Sequence, residues 1–427
     1  MTSSSASSSS LRAVVALSNH GTIVPSQDAL KLCPQNAANL NAYTVPYENL
    51  TEVGMKQMLL AGGHTRNVYV DGKKFIAPTL KQKPQFDTYF RADPSRGQSS
   101  VTFGYGLYPD TTVMGFPVPV PVVMQLVSNE HDIAVTNGPC QATLNKDLAN
   151  FAATRGKKLL KKHAAVVKQL EAACGGTLGS ANANQDFRTL AHMLSSDRIH
   201  GRPPLVNAAL FDQIQSLAFD QMLDEYLGTP RQVTYYVGGF PDLMRSQLNA
   251  SATSSAADPI DFYKLYAYTG RRELVHGMGQ MLGLEFNFPN QPRSTSFNTT
   301  AIPSGATMFF ELHMTPEPVV ETHIWSPETA RRQVKLHKCS AMACPLGEFN
   351  AIIENHVNAT SSWQDLCEYH PVNKIQDPST ADGLTMPVES QYSLILGVVL
   401  VALTLFAMQS AYSRINQFKR QSQYTRL

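Results

Sequence analysis

A short apolar run that empties into a polar turn constrains this chain more than any other feature. Leu11-Arg-Ala-Val-Val-Ala-Leu17 is brief, apolar and rich in valine, so it reads as a buried strand. It runs into Ser18-Asn19-His20-Gly21, a polar turn ending in the most permissive backbone residue. A histidine leaving the carboxyl end of a buried strand stands where open α/β sheets place their ligands. With 427 residues the chain can bury a sizeable core, as one large domain with an insertion or as two smaller ones. Its net charge of +2 argues against a nucleic-acid partner.

The C-terminal part has a different character. Tyr392 to Tyr412 carries no charged residue over 21 positions, and as a helix it spans ~31 Å, enough for a bilayer core. Arg414, Lys419, Arg420 and Arg426 follow it, while Asp377, Asp382 and Glu389 precede it, so the tail is expected in the cytoplasm and the bulk of the protein outside the cytosol. A domain placed there needs a signal peptide, yet the first ten residues have no basic start and no apolar core. The expectation is that the true start lies upstream; the alternative is insertion by the C-terminal anchor, with the bulk facing the cytosol. Asn49-Leu-Thr51, Asn249-Ala-Ser251, Asn298-Thr-Thr300 and Asn358-Ala-Thr360 fit the glycosylation acceptor pattern. Six cysteines form an even set, and Cys339 and Cys344 stand close enough to close a small loop. A zinc site is the alternative for that pair, but no second ligand pair has suitable spacing, so disulfides in an oxidising lumen are the better reading. Tyr424-Thr-Arg-Leu427 fits Tyr-x-x-bulky-apolar, the pattern clathrin adaptors read in cytoplasmic tails.

Between these ends the pattern alternates. Thr51, with Gly54, Met55, Met58 and Leu59 behind it, predicts a capped amphipathic helix with an apolar face at helical spacing. The prolines of 115–132 predict extended chain. From about residue 140 to Tyr226 the pattern is helical, with Asp147–Glu171 basic on one face, Asp186–Ser195 and Leu205–Tyr226 amphipathic, and a small-residue linker over Gly175–Asn184. Lys157, Lys158, Lys161 and Lys162 read as a solvated helix face. Phe262–Gly270 alternates as a strand before a helix over Leu274–Leu284.

Several segments carry a resemblance. Asn19-His20-Gly21-Thr22-Ile23-Val24-Pro25 resembles the Arg-His-Gly-x-Arg-x-Pro signature of the histidine acid phosphatases, with histidine, glycine and proline kept and both arginines replaced. Leu50, Thr51, Gly54 and Gln57 match the family's Leu-Thr-x-x-Gly-x-x-Gln helix, with Gly62 or Gly63 and Arg66 downstream. Arg91 and Arg96 fall where the family has a strand ending in arginine and a second arginine in the next loop. Asn137-Gly-Pro-Cys140 matches the cysteine that opens an inserted helical cap, and Met308–His313 resembles a later core strand. Cys339-Ser-Ala-Met-Ala-Cys344-Pro-Leu-Gly-Glu-Phe349, then Trp363 and Cys367, closely matches the family's ending. The matches run in the family's order from about residue 11 to 370.

The resemblance implies an α/β, phosphoglycerate-mutase-like sheet with helices on both faces, its core at 11–139 and 227–370 and a helical cap at 140–226. A leader at 1–10, a stalk at 371–391, a transmembrane helix at 392–412 and a tail at 413–427 complete the expected organisation. Bridges Cys339–Cys344 and Cys140–Cys367 are implied, with Cys33 and Cys174 either paired together or free. The ligand implied is a phosphomonoester or phosphate anion; no cofactor or metal is implied, and members are often dimers. One anchor with a short tyrosine-containing tail is also similar to lysosomal acid phosphatases, which implies a type I membrane protein of the endosome, lysosome or cell surface.

In that family a histidine attacks phosphorus, an arginine cluster neutralises the equatorial oxygens, and an aspartic acid protonates the leaving group. Phosphoryl transfer depends mainly on positioning and charge stabilisation. This sequence keeps the nucleophile position as His20 but has uncharged Asn19 and apolar Ile23 at the motif arginines. Aligned on Tyr268-Thr269-Gly270, the family's His-Asp pair has become Arg271-Arg272; a register on His276-Gly277 also lacks the carboxylate. Arginine stays protonated and cannot replace the acid. The expectation is a degenerate acid phosphatase that binds phosphate esters through Arg96, Arg91 and Asn19 with little turnover. Two alternatives are an active enzyme whose acid is Glu273 or Asp93, and a glycosylated receptor scaffold.

Overall fold

The computed structural model describes residues 10–370 apart from 81–86, 111, 114–115, 118, 127–129, 180–181, 255–262 and 315. The first strand runs Leu11–Asn19 and is buried along nearly its whole length, which is why its sequence is almost continuously apolar. Ala13, Val15 and Leu17 enter one hydrophobic cluster while Val14 and Ala16 enter another, because successive side chains leave a strand on opposite faces. This strand sits inside an eight-stranded sheet, parallel to Leu265–Gly270 on one side and antiparallel to Thr307–Met314 on the other. Thr88–Ala92 and Val122–Met124 continue the parallel half. Pro318–Ser326 continues the antiparallel half, with Thr329–Val334 and Ala343–Pro345 paired to it. The carboxyl ends of Leu11–Asn19, Leu265–Gly270 and Thr88–Ala92 therefore meet at one edge, with His20, Arg271 and Asp93 next in the chain.

Helices cover both faces. On one, Glu52–Arg66 and Gly97–Leu107 approach backbone to backbone: a Cβ on Gly62 would lie 2.0 Å from the Phe103 carbonyl, and one on Gly106 2.3 Å from that of Leu59. On the other, Pro230–Val237, Phe240–Thr253, Arg272–Leu282 and Leu346–Thr360 bring Val233, Phe240, Met278 and Phe349 into the larger cluster. The helices between Gln141 and Leu227 build a cluster of their own on Leu170, Phe187, Leu194 and Ile214, which also takes in Ala29, Cys33 and Leu40 from the stretch after the first strand. Cys33 pairs with Cys174 and ties that stretch to the helical segment. Cys140 pairs with Cys367, and Cys339 with Cys344, so the zinc alternative for the last pair does not apply.

Thr51 caps its helix as expected, its hydroxyl accepting from the Gly54 N–H at 3.0 Å. The buried face is not the expected one. Gly54, Met58, Ala61, Gly62 and Thr65 are inside, whereas Met55 and Leu59 are exposed, because close backbone packing selects the stripe of small residues. Lys157, Lys158, Lys161 and Lys162 are exposed. Among the acceptor asparagines, Asn298 and Asn358 are exposed and Asn49 and Asn249 half-buried. Among the described residues no helix is long and apolar enough to cross a membrane; the 392–412 run, Tyr424 and Leu427 lie outside them.

One glycine pair links this packing to the edge where the strands end. A Cβ on Gly54 would stand 2.1 Å from the Thr22 carbonyl, and one on Gly21 would stand 2.4 Å from that of Gly54. Gly54→Ala is expected to destabilise the protein by about 1–3 kcal/mol through overpacking. Gly63→Ala, in the same helix with open space around it, is expected to stabilise it by ~0.5–1 kcal/mol. Urea unfolding of both variants checks this, and shifts of the same sign contradict it.

Candidate active site

The turn after the first strand is held from three sides. The His20 N–H donates to the Gly270 carbonyl at 3.1 Å, extending the parallel pairing one residue past the strand. Thr22 gives its N–H and its hydroxyl to Gln57 Oε1, each at 2.9 Å, while its carbonyl accepts from the Thr51 N–H and hydroxyl, each at 3.0 Å. The Gly305 N–H, at a positive φ of 77°, reaches the carbonyls of Asn19 and His20 at 3.2 Å. His20 is thus presented on a rigid turn.

Its imidazole is prepared for nucleophilic chemistry. Nδ1 lies 2.7 Å from the Gly21 carbonyl, which can only accept, so the ring proton sits on Nδ1 and the Nε2 lone pair is free. Burial, and then the Arg96 guanidinium, hold the ring well below the usual histidine range, so it stays neutral in mild acid.

His20 opens into a cleft of about 1070 Å³ that Asn19, Arg96, Arg271, Arg272 and Glu273 also line. His192 and Arg198, from the helix Ala183–Ile199, and Gln215, from Ala208–Leu227, close it from the helical side; Arg293 and Pro303 come from the loops before the Thr307–Met314 strand. The lining carries five arginines against three carboxylates, so the cleft favours anions. Arg271 donates to Asp93 at 3.0 Å and Arg272 to Glu273 at 3.2 Å. Arg96 pairs with no carboxylate among the described residues, and its buried Nε has no partner.

The expected site residues divide. His20, Arg96, Arg271 and Arg272 are brought together, as is Asn19, but Asn19 is not a phosphate donor. Its amide nitrogen is committed to the carbonyls of Ile302 and Pro303, at 3.3 and 3.0 Å, which only the NH₂ can face. Arg91 is elsewhere. It lies under the helix Phe240–Thr253 beside Tyr89 and Tyr268, and its guanidinium is bound by Glu130 and Asp132, at 2.5 and 2.8 Å. Strand alternation turns it to a face of the sheet, away from the strand end where the loop arginine stands. His276 is also outside the cleft, 2% exposed between Phe219 and Phe286.

Of the two alternative acids, Glu273 offers no proton in the free protein. Burial alone would raise Glu273, but the Arg272 charge, its own backbone N–H and the Arg271 charge hold it down at about 2. Both oxygens of Asp93 accept, from Arg271 Nε and from the Ser95 N–H and hydroxyl. The cleft therefore contains a neutral histidine, several cations and an ionised Glu273. His192, Arg198, Gln215 and Arg293 carried no signal in the sequence, since a polar residue lining a cleft and one facing solvent look alike in a helix pattern.

The fold is one shared with solved structures of phytases, in keeping with the resemblance. Neither a family model nor a curated protein matches the sequence. Solved structures do: the phytase of Citrobacter braakii is 18% identical, with a TM-score of 0.61 over 81% of this chain and 98% of that one. The Hafnia alvei phytase in complex with myo-inositol hexakis sulphate is 17% identical, with a TM-score of 0.60 over 82% and 98%. The Bifidobacterium longum multiple inositol polyphosphate phosphatase, in complex with inositol hexasulfate, is 12% identical, with a TM-score of 0.53 over 83% and 94%. At these identities the likeness is one of fold.

Buried neutral histidines make stability depend on pH. Burial, then the Arg272 charge, pushes His276 down to about 3. The unfolded chain takes up that proton below ~6.5. This contribution is therefore complete above the unfolded value and lost as pH falls from there toward the folded one. At pH 5 the loss is about 2 kcal/mol. His276→Leu is expected to flatten the decline in melting temperature between pH 7 and 5; an unchanged slope contradicts this.

Proposed function

We propose that this chain is a histidine acid phosphatase-like protein that binds phosphate esters in the His20 cleft and turns them over little or not at all. The observation that carries this reading is Arg96, a cation without a carboxylate partner among the described residues, beside a neutral His20 in a cleft where arginines outnumber acids. Ile23 and Asn19 leave two motif cations missing, and loss of one preorganised donor costs on the order of 10²–10³ in rate. The absence of a proton donor costs roughly 10²–10⁴ more, although groups acting as a unit do not multiply. The inositol polyphosphate analogues bound by two of the similar structures support a ligand carrying several phosphates, and the width of the cleft and its dispersed arginines suit one.

Isothermal titration with inorganic phosphate and with inositol hexakisphosphate tests binding. Both are expected to bind, the second more tightly, and Arg96→Ala is expected to weaken each about 10- to 100-fold, the worth of a charge-assisted hydrogen bond. Absence of binding at pH 5 and 7 overturns the reading and favours the receptor scaffold.

A second reading rests on Glu273, which lines the cleft close enough to His20 for its charge to act on the ring. A phosphate dianion bound beside it would raise its proton affinity and let it serve as acid. On this reading Glu273→Gln abolishes a measurable phosphatase activity; on the first reading there is none to abolish.

The proposed setting is a glycosylated type I membrane protein of the endosomal or lysosomal route or the cell surface. The charge-free 392–412 run, its basic C-terminal flank and the acceptor asparagines support it. Tyr424 and Leu427 form its adaptor-binding signal. Tyr424→Ala is expected to move the full chain to the cell surface, and unchanged internal staining contradicts the sorting role.

A further inference from the structure

Two Glu-x-His pairs stand outside the cleft and outside every motif of the phosphatase resemblance except the strand itself. Glu311-Leu-His313 lies on Thr307–Met314 and Glu321-Thr-His323 on Pro318–Ser326. The strands are antiparallel, with Glu321 directly opposite Glu311, Val319 opposite His313 and His323 opposite Phe309. Alternation places all four polar side chains on one face. Carboxylates directly opposite one another on a sheet repel, so this register calls for positive charge between them.

The four side chains converge. His313 Nε2 lies 3.0 Å from Glu311 Oε2 and 3.9 Å from Glu321 Oε2. His323 Nε2 lies 3.2 Å from Glu321 Oε2 and 3.9 Å from Glu311 Oε2. One donor atom from each of Glu311, His313 and Glu321 lies within 4.8 Å of the other two, so these three can close on a single ion, whereas His323 stands outside that set beside Glu321. Glu311 is fully buried, His313 and His323 are 14% and 10% exposed, and Glu321 lies at the open side. Ser10 Oγ stands 3.0 Å from His313 Nδ1, where a hydrogen bond orients the ring with Nε2 inward.

Without a metal, part of the negative charge is met by the protein. Arg331 and the Tyr69 hydroxyl hold Glu311 Oε1, and Lys73 Nζ reaches Oε2 at 2.8 Å. Lys73 is one-third exposed, so its ammonium can withdraw into solvent. Glu321 has the two histidines as its ion-pair partners among the described residues.

We infer that Glu311, His313 and Glu321 form a binding site for a zinc-class divalent transition metal, separate from the phosphate cleft, with His323 orienting Glu321 from the side. Imidazole donors select this class over magnesium and calcium, which take oxygen ligands. Three protein ligands leave a fourth position for water. Glu311 pairs with Val14, six residues before His20 and about 20 Å along the strand, so the ion pins the sheet without entering the cleft.

The test is titration of the chelator-treated full chain with zinc chloride and with cobalt chloride. One equivalent of zinc is expected to bind and to raise the melting temperature, and cobalt to give the visible bands of a tetrahedral site. His313→Gln and Glu321→Gln are each expected to weaken binding about tenfold or more, whereas Lys73→Met, which removes the competing ammonium, tightens it severalfold. Far-UV circular dichroism and phosphate binding in the cleft establish that each variant has folded. The inference is overturned if neither the wild type nor Lys73→Met takes up zinc, or if the His313→Gln/Glu321→Gln double variant takes it up unchanged.

Discussion

The site depends on one backbone register. Leu11–Asn19 and Leu265–Gly270 run parallel with Asn19 opposite Gly270, and the His20 N–H closes that pairing on the Gly270 carbonyl. A slip of one residue would turn every side chain of the strand to the wrong face. Both neighbouring groups follow from the register: His20 emerges at one strand end and Arg271 at the next. The Gly21–Gly54 contact fixes the height of the turn above the helix, and Gln57 fixes its direction.

On the proposed reading, this frame presents half of a phosphoryl-transfer site. The histidine is neutral with its lone pair exposed, and the phosphate-side cation is present as Arg96. Where that reading would place the acid half stand paired charges, Arg271 with Asp93 and Arg272 with Glu273. Each pair satisfies itself, so the cleft is electrostatically settled before any ligand arrives. Binding an anion requires only Arg96 and partial release of its neighbours, whereas protonating a leaving group requires a proton that the arginines do not give up and that Glu273 does not carry in the free protein.

The fold was legible where burial imposes period on the sequence. The first strand, the Thr51-capped helix and the strand before Arg271 all declare themselves through apolar spacing, caps and turn residues. The buried face of the capped helix was misread, since a contact made through glycine backbones leaves no apolar side chains to count; Met55 and Leu59 are exposed instead. Arg91 shows a second limit: a strand arginine and a loop arginine five residues later look equivalent in sequence, and only the sheet's alternation separates them. The contributions of the helical segment to the cleft were invisible because His192, Arg198 and Gln215 come together only in three dimensions. The Glu-x-His pairs were readable as letters, but their meaning depends on a cross-strand register that spacing alone does not set.

The central claim is that the cleft holds phosphate esters without completing their hydrolysis. Phosphorus-31 NMR of the full chain with a phosphomonoester at pH 5 tests it most directly, because it observes bound ester, phosphohistidine and released phosphate in one spectrum. The account predicts an ester resonance shifted or broadened by the protein, with no phosphohistidine and no growth of inorganic phosphate. Phosphate that accumulates with the wild type and not with His20→Ala would contradict it, and would make this cleft a working active site with its acid still to be found.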